Sequence, residues 1–364
     1  VRSIRTCGVL LALPLLLVSL ALPGSSASKV TFDSAGIAMA DGKPFFPVGI
    51  YVYKLNSDIM ADLHEQQFNT IVNISGGFEA GQLDYIHQHG LKTIVPSSTE
   101  WVKAAKDHPS LLAWYLTDEP EGRGDAAEAE RKRYLELKQT DPAHPIGLCH
   151  YSFAAIERFK DACDFTMSDV YPVTAARDVP LANVGVHLDE IHRVHGRGFP
   201  AWAWIQVFGG PNTDGGKWAV PLPHEVRCMT YIALAHGATG ILYFSYWPQA
   251  QQTWQSLRPL NAEIHRIYPW LTAPGKELKP ASSSADVHVR ARDLGNGGIV
   301  IAVNTRPLFT TATISLPGQK GRSLTLPFEN RTVNLTKDGF TDRFAPCEAH
   351  VYTWGDIPPP SAKR

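Results

Sequence analysis

Leu111-Leu112-Ala113-Trp114-Tyr115-Leu116-Thr117-Asp118-Glu119-Pro120 is an apolar run that stops abruptly at two adjacent carboxylates. A short, continuous apolar stretch bounded by polar residues reads as a strand covered on both faces, as in a parallel sheet flanked by helices. A closed parallel barrel carries its chemistry at the C-terminal ends of its strands, so the reading puts Asp118 and Glu119 at that rim.

Outward from this strand, short apolar segments alternate with helical patterns from about Phe46 to about Trp270. The expected strands are 46–51, 68–74, 91–97, 111–117, 145–151, 164–170, 200–208 and 240–247, each followed by a stretch that can be helical. Eight such units close a (β/α)8 TIM barrel, an α/β fold. The clearest helix is 125–140, with Asp125 as its expected N-cap and Asp141-Pro142 as its stop. Upstream, Val30-Thr31-Phe32 and Asp41-Gly42-Lys43-Pro44 suggest a hairpin that plugs or flanks the barrel bottom. From about Ser282 to Trp354 polar and apolar residues alternate in short runs broken by Gly and Pro, the pattern of a small antiparallel β-sandwich. The expected organisation is a leader over 1–27, the barrel with its hairpin over 28–275, a C-terminal β-sandwich over 282–356 and a disordered tail over 357–364.

Arg2 and Arg5, the apolar run 9–22 and Ser25-Ser26-Ala27 have the order of a secretory signal peptide and not of a membrane anchor. A secreted or periplasmic protein is expected, with its mature form starting near Ser28. Lys and Arg total 34 against 35 Asp and Glu, and no basic cluster is interleaved with aromatics, so a nucleic-acid partner is not expected. Nine Trp and twelve Tyr suit the apolar faces of sugar rings, although aromatics are core residues by default. Cys149, Cys163, Cys228 and Cys347 lack the paired close spacing of a zinc site. An oxidising compartment permits disulfides among them without specifying a pairing. Neither a metal nor another cofactor is implied, and the oligomeric state is not readable.

Asp41-Gly42-Lys43-Pro44-Phe45-Phe46-Pro47-Val48-Gly49-Ile50-Tyr51 and the strand-four ending Asp118-Glu119-Pro120 resemble the clan A (β/α)8-barrel glycoside hydrolases. The resemblance implies a general acid/base Glu closing strand four, here Glu119, and a nucleophilic Glu closing strand seven. Two positions depart from the pattern. Asp118 stands where the clan usually has Asn, and Gln206 stands where the strand-seven Glu belongs. Gln cannot attack an anomeric carbon, so only Glu119 carries its role over.

Glycoside hydrolysis needs two carboxyls, about 5–5.5 Å apart for retention or about 6.5–9.5 Å for inversion. Asp169 in Ser168-Asp169-Val170-Tyr171-Pro172 closes strand six and ranks first as the partner of Glu119, a pair compatible with inversion. Asp118 adjoins Glu119 and, by strand alternation, is read as a hydroxyl ligand or a charge that tunes its neighbour. Glu225 in the first turn after strand seven is better explained by the helix dipole. Glu100 and Asp214 either line the mouth or sit on the surface. Tyr51, Tyr171, Trp204, Tyr246 and Trp247 are the expected sugar-stacking aromatics, with Asn73, His150 and Gln206 as hydrogen-bonding groups. Trp114 and Trp202 are assigned to the helix-facing layer. The function expected is hydrolysis of O-glycosidic bonds of an oligo- or polysaccharide, with Glu119 as general acid. The alternatives are a carbohydrate-binding pseudoenzyme, motivated by Gln206, and a transglycosylase.

Overall fold

A computed structural model describes residues 28–75, 79–319, 321–336 and 339–356. The expected leader over 1–27 and the tail over 357–364 lie outside the described residues. Among those described, no helix is long and apolar enough to cross a membrane.

The eight expected strands form a closed parallel barrel from Val48–Tyr51, Thr70–Val72, Lys92–Pro96, Leu111–Asp118, Ile146–His150, Phe165–Ser168, Ala201–Gln206 and Gly240–Phe244. They are called strands one to eight below. Strand seven shows how alternation divides the core. Ala201, Ala203 and Ile205 pack toward the helices, whereas Trp202 and Trp204 lie among the residues that fill the barrel. Trp202 therefore does not belong to the helix-facing layer expected from the sequence. It shares the parity of Trp204 and packs against Phe165, with ring centroids 4.2 Å apart. Trp114 does face the helices, where its indole N–H donates to Asp141 Oδ2 at 2.8 Å.

Room for these large rings comes from glycines on neighbouring strands. A Cβ at Gly147 of strand five would stand 2.3 Å from the Phe165 ring, and one at Gly240 would stand 2.8 Å from the Trp202 ring. The N-terminal sheet of Val30–Phe32, Ala38–Ala40 and Lys43–Phe45 plugs the bottom, with Phe32 edge-on to Trp202. The helix expected over 125–140 runs Ala127–Thr140, and Asp125 is not its cap. A short helix, Pro120–Arg123, intervenes, and the Asp125 N–H is used on the Pro120 carbonyl.

Downstream, two antiparallel sheets face each other over a separate core that includes Ile314, Phe344 and Tyr352. Arg292 fastens them to the barrel. Buried at 3 % exposure, its guanidinium donates to the carbonyls of Trp270, Leu271 and Ala273, the last residues of helix Gln251–Thr272 and its C-cap. Those carbonyls have no partner within the helix, so the arginine caps it while its charge meets Glu277.

Helix Asn183–His195 presents His187 to the barrel wall, where Nδ1 meets the Ser168 hydroxyl at 2.8 Å. Burial, reinforced by the charge of nearby His150, lowers the His187 pKa to about 4. An unfolded histidine titrates near 6.5, so between the two values the unfolded chain binds the extra proton and stability rises with pH. We expect the denaturant midpoint to fall as pH drops from 6.5 toward 4. The His187 share reaches about 3 kcal/mol. In His187→Gln the pH slope of the unfolding free energy should shrink by about one proton, and an unchanged slope would remove His187 as its source.

Candidate active site

The end of strand four is where the barrel breaks its own alternation. Opposite strand five, Tyr115 pairs with Gly147 but Thr117 pairs with Leu148, so Leu116 is an extra residue, a bulge. Past the bulge, the Thr117 hydroxyl turns to the helix layer and donates to Glu130 at 2.7 Å. Asp118 turns inward instead, where its Oδ1 accepts from the Tyr115 hydroxyl at 2.6 Å. Glu119 then adopts φ 45° and ψ 59°, a left-handed conformation that few residues other than glycine take. Its N–H still reaches the Cys149 carbonyl at 3.2 Å, and Pro120 opens the short helix behind it. Bulge and left-handed turn together bring two consecutive side chains into one cavity, which an ideal strand cannot do.

That cavity has a volume of about 720 Å³ at the C-terminal end of the barrel. Asp118, Glu119 and Asp169 share it with the rings of Tyr51, Tyr171 and Trp204. No N–H or O–H among the described residues reaches Asp169 Oδ1. The Glu119 carboxyl is among its neighbours, and like charges so placed disfavour ionising Asp169. Burial raises the Asp169 pKa well above the usual carboxylate range, with the hydrogen bond to Glu119 and the charges of Glu119, Asp118 and Glu121 adding to it. Burial likewise pushes up the Tyr115, Cys149 and Tyr171 hydroxyl and thiol groups, so they stand as neutral donors around the acids. Asp118, Cys149 and Asp169 each place one potential ligand atom within 4.8 Å of the others. No cysteine or acid spacing in the sequence announced this grouping, because its members come from strands four, five and six.

Of the residues expected at the site, Tyr51, Asp118, Glu119, Asp169, Tyr171 and Trp204 line this cavity. Asn73, His150, Gln206, Tyr246 and Trp247 do not. The Asn73 amide donates to the Val52 carbonyl at 2.5 Å, and His150 meets Glu121 at 2.9 Å beneath the rim. Gln206 is committed to backbone. Its Oε1 accepts from Val173 N–H at 2.9 Å, and its Nε2 faces the carbonyls of Val173, Phe208 and Ala219. It braces the loops after strands six and seven, so it is not the expected substrate contact. Tyr246 donates to Asp62 at 2.5 Å and packs edge-on against Trp254.

Glu225 caps its own helix by accepting from Leu222 N–H at 2.7 Å, as the dipole reading expected. Glu100 sits in the first turn of helix Thr99–Ala105 and is not part of the cavity lining. Asp214 does line the mouth, beside Lys217 and Trp218, whose ammonium and ring lie 4.4 Å apart. Sequence reasoning missed Tyr115, Cys149, Lys217 and Trp218. Tyr115 could have been found by strand parity, because its neighbour Trp114 faces the helices. The other three carried no local signal.

No protein-family model matches the chain, and no curated protein matches it. Solved structures do. A GH27 β-L-arabinopyranosidase from Geobacillus stearothermophilus aligns with a TM-score of 0.61 at 11 % identity, over 89 % of this chain and 98 % of that one. A GH30 endoxylanase from Clostridium papyrosolvens gives 0.55 at 11 % identity, over 92 % and 98 %. An α-amylase from Geobacillus thermoleovorans, complexed with acarbose, gives 0.55 at 13 % identity, over 84 % and 98 %. At such identities the likeness is one of fold. The chain shares its overall fold with these glycoside hydrolases.

Proposed function

We propose that the chain is an exported glycoside hydrolase that cleaves O-glycosidic bonds of an oligo- or polysaccharide with Glu119 and Asp169 as its carboxyl pair. The observation that supports this best is the placing of both carboxyls in one aromatic-walled cavity at the C-terminal end of the barrel, with Asp169 held toward its protonated form. The two form a general acid at neutral pH by the route that other paired carboxyls use, burial combined with like charge. The proton's favoured seat is Asp169, which exchanges the roles expected from the sequence: Asp169 protonates the leaving oxygen, and Glu119 attacks C1 as that C–O bond breaks. Water then opens the resulting glycosyl ester, giving its proton back to Asp169. Carboxyls in contact are nearer the spacing of retention than that of inversion, which needs room for a water between them. Asp118, which accepts from the Tyr115 hydroxyl, faces the same space and steadies the positive charge that develops at C1.

The pseudoenzyme reading rested on Gln206. With its amide fully engaged by backbone, that residue marks an anchored loop rather than a catalytic position turned idle.

Four outcomes test the proposal. On a panel of aryl glycosides and polysaccharides, Glu119→Gln should lose turnover on every active substrate. Asp169→Asn should lose about 10²–10⁴-fold on poor leaving groups and much less on activated aryl ones. The opposite pattern would return the acid role to Glu119. NMR of the first product should show the substrate's own anomeric configuration, and the opposite anomer would sink the retaining mechanism.

The same proton has a stability signature. A carboxyl whose folded pKa is raised binds its proton more tightly in the native state, so its contribution weakens as pH rises above the ordinary value near 4. Asp169→Asn should therefore raise the melting temperature at pH 7 relative to the parent, with the difference shrinking toward pH 4. No gain at pH 7 would mean that Asp169 is ionised in the folded protein. Export is checked separately by N-terminal sequencing of the protein recovered outside the cytoplasm, which should begin near Ser28.

A further inference from the structure

Cys228 and Cys347 come from opposite sides of the junction between the barrel and the C-terminal sheets. Cys228 lies on helix Pro223–Ala235, with its sulfur 3.5 Å from the Asn304 carbonyl at the end of strand Gly297–Asn304. Cys347 sits in the turn before strand Ala349–Gly355, where its N–H donates to the Arg306 carbonyl at 2.9 Å. Asn304 ties the two places together. Its amide donates to the carbonyls of Leu308 and Ala345, at 2.7 and 2.9 Å, and its own N–H reaches the Glu348 carbonyl at 2.8 Å. Both cysteines belong to one buried cluster around this framework.

We propose that Cys228 and Cys347 are a built-in disulfide site that locks the barrel to the C-terminal sheets when the protein meets an oxidising thiol–disulfide pool. Their surroundings divide the labour. Cys347, itself 5 % exposed, borders a cleft of about 430 Å³ together with Arg177, Leu181, Glu225, Arg306 and Pro307, and this cleft is the side from which a small disulfide would approach. Cys228 is fully buried behind it. The neighbouring Cys228 holds the Cys347 thiol below its ordinary value, while Cys347 and burial raise Cys228 well above it. This is the arrangement of an attacking and a resolving cysteine.

The Cys347 thiolate attacks a low-molecular-weight disulfide RSSR and expels one RS⁻, forming a mixed disulfide. Cys228 then gives up its proton and attacks the Cys347 sulfur, expelling the second RS⁻. Two protein thiols are oxidised by two electrons, and one RSSR is reduced to two RSH. Helix Pro223–Ala235 follows the loop that carries Asp214, Lys217 and Trp218 to the mouth of the cavity, so the bond tethers the element on which that loop is anchored. Cys149 and Cys163, buried within the barrel and free, have no role in it.

The proposal does not depend on the reaction carried out in the cavity. It is tested by incubating the folded full-length protein with oxidised glutathione, unfolding it in alkylating agent and mapping the cysteine peptides by mass spectrometry. The expected result is a Cys228–Cys347 cross-linked peptide, lighter by two hydrogens than the sum of its parts, with Cys149 and Cys163 alkylated. Cys228→Ser should leave glutathione attached at Cys347, which shows attack without resolution. Recovery of Cys228 and Cys347 as alkylated thiols in the parent would overturn the proposal. So would glutathione remaining on Cys347 with Cys228 intact, since the resolving step would then be absent. The parent protein decides the matter even if the variant fails to fold.

Discussion

Two consecutive side chains of an ideal strand cannot face the same way, yet this cavity is organised around two consecutive carboxyls. The constraint is met by spending one residue on a bulge at Leu116 and by holding Glu119 in a left-handed conformation. A left-handed residue other than glycine costs about 1–2 kcal/mol, and the surrounding fold must outweigh it. Here the weight comes from barrel closure: the Glu119 N–H is engaged by strand five and the next residue is locked by Pro120. Asp118 would otherwise point toward the helices, where Thr117 now satisfies Glu130. The polar pair in the helix layer and the acidic pair in the cavity are two results of a single register shift.

Once the carboxyls are gathered, electrostatics follows from how little water reaches them. Glu119 and Asp169 in contact within a largely apolar wall cannot both be ionised without a counter-charge, and among the described residues no Lys or Arg borders the cavity except Lys217 at its mouth. Lys217 faces Trp218 and lies 4.0 Å from Asp214, so its charge is engaged at the mouth. Burial and the neighbouring carboxyls instead favour the protonated form of Asp169. This separates the site from one in which an acid at strand four faces a nucleophile across the barrel at strand seven. Here the acids crowd strands four and six, and the strand-seven position serves the loops.

The fold was legible because it rests on patterns that survive in one dimension. Eight apolar runs with helical intervals, an alternating C-terminal third and the Pro- and Gly-rich stretch between them are properties of neighbours in sequence. The site was legible only where a side chain's direction follows from strand parity. Tyr51, Tyr171 and Trp204 obeyed it, and applying the same parity to Trp202 would have placed that residue inside the barrel with Trp204. Asp118 could not be read this way because a bulge resets parity and leaves no compositional trace. Gln206, Asn73 and His150 sit at the right level, but backbone carbonyls or buried carboxylates claimed them, and those partners lie far away in sequence.

The junction with the C-terminal sheets obeys a related logic. Arg292 is a long cation taken almost wholly out of water, which is unfavourable unless every donor finds an acceptor. The end of helix Gln251–Thr272 supplies a row of carbonyls that the helix itself cannot satisfy. Each side therefore solves a problem the other could not solve alone, and separating them would expose both. This mutual need argues that the sheets are part of the barrel's stability rather than an appended module. Helix Pro223–Ala235, which packs on those sheets, begins just past the cavity-lining loop after strand seven, and Thr253 holds the Pro221 carbonyl at 2.6 Å. The sheets thus back the helix that follows this loop, while the loop's own end is held by the barrel's last helix.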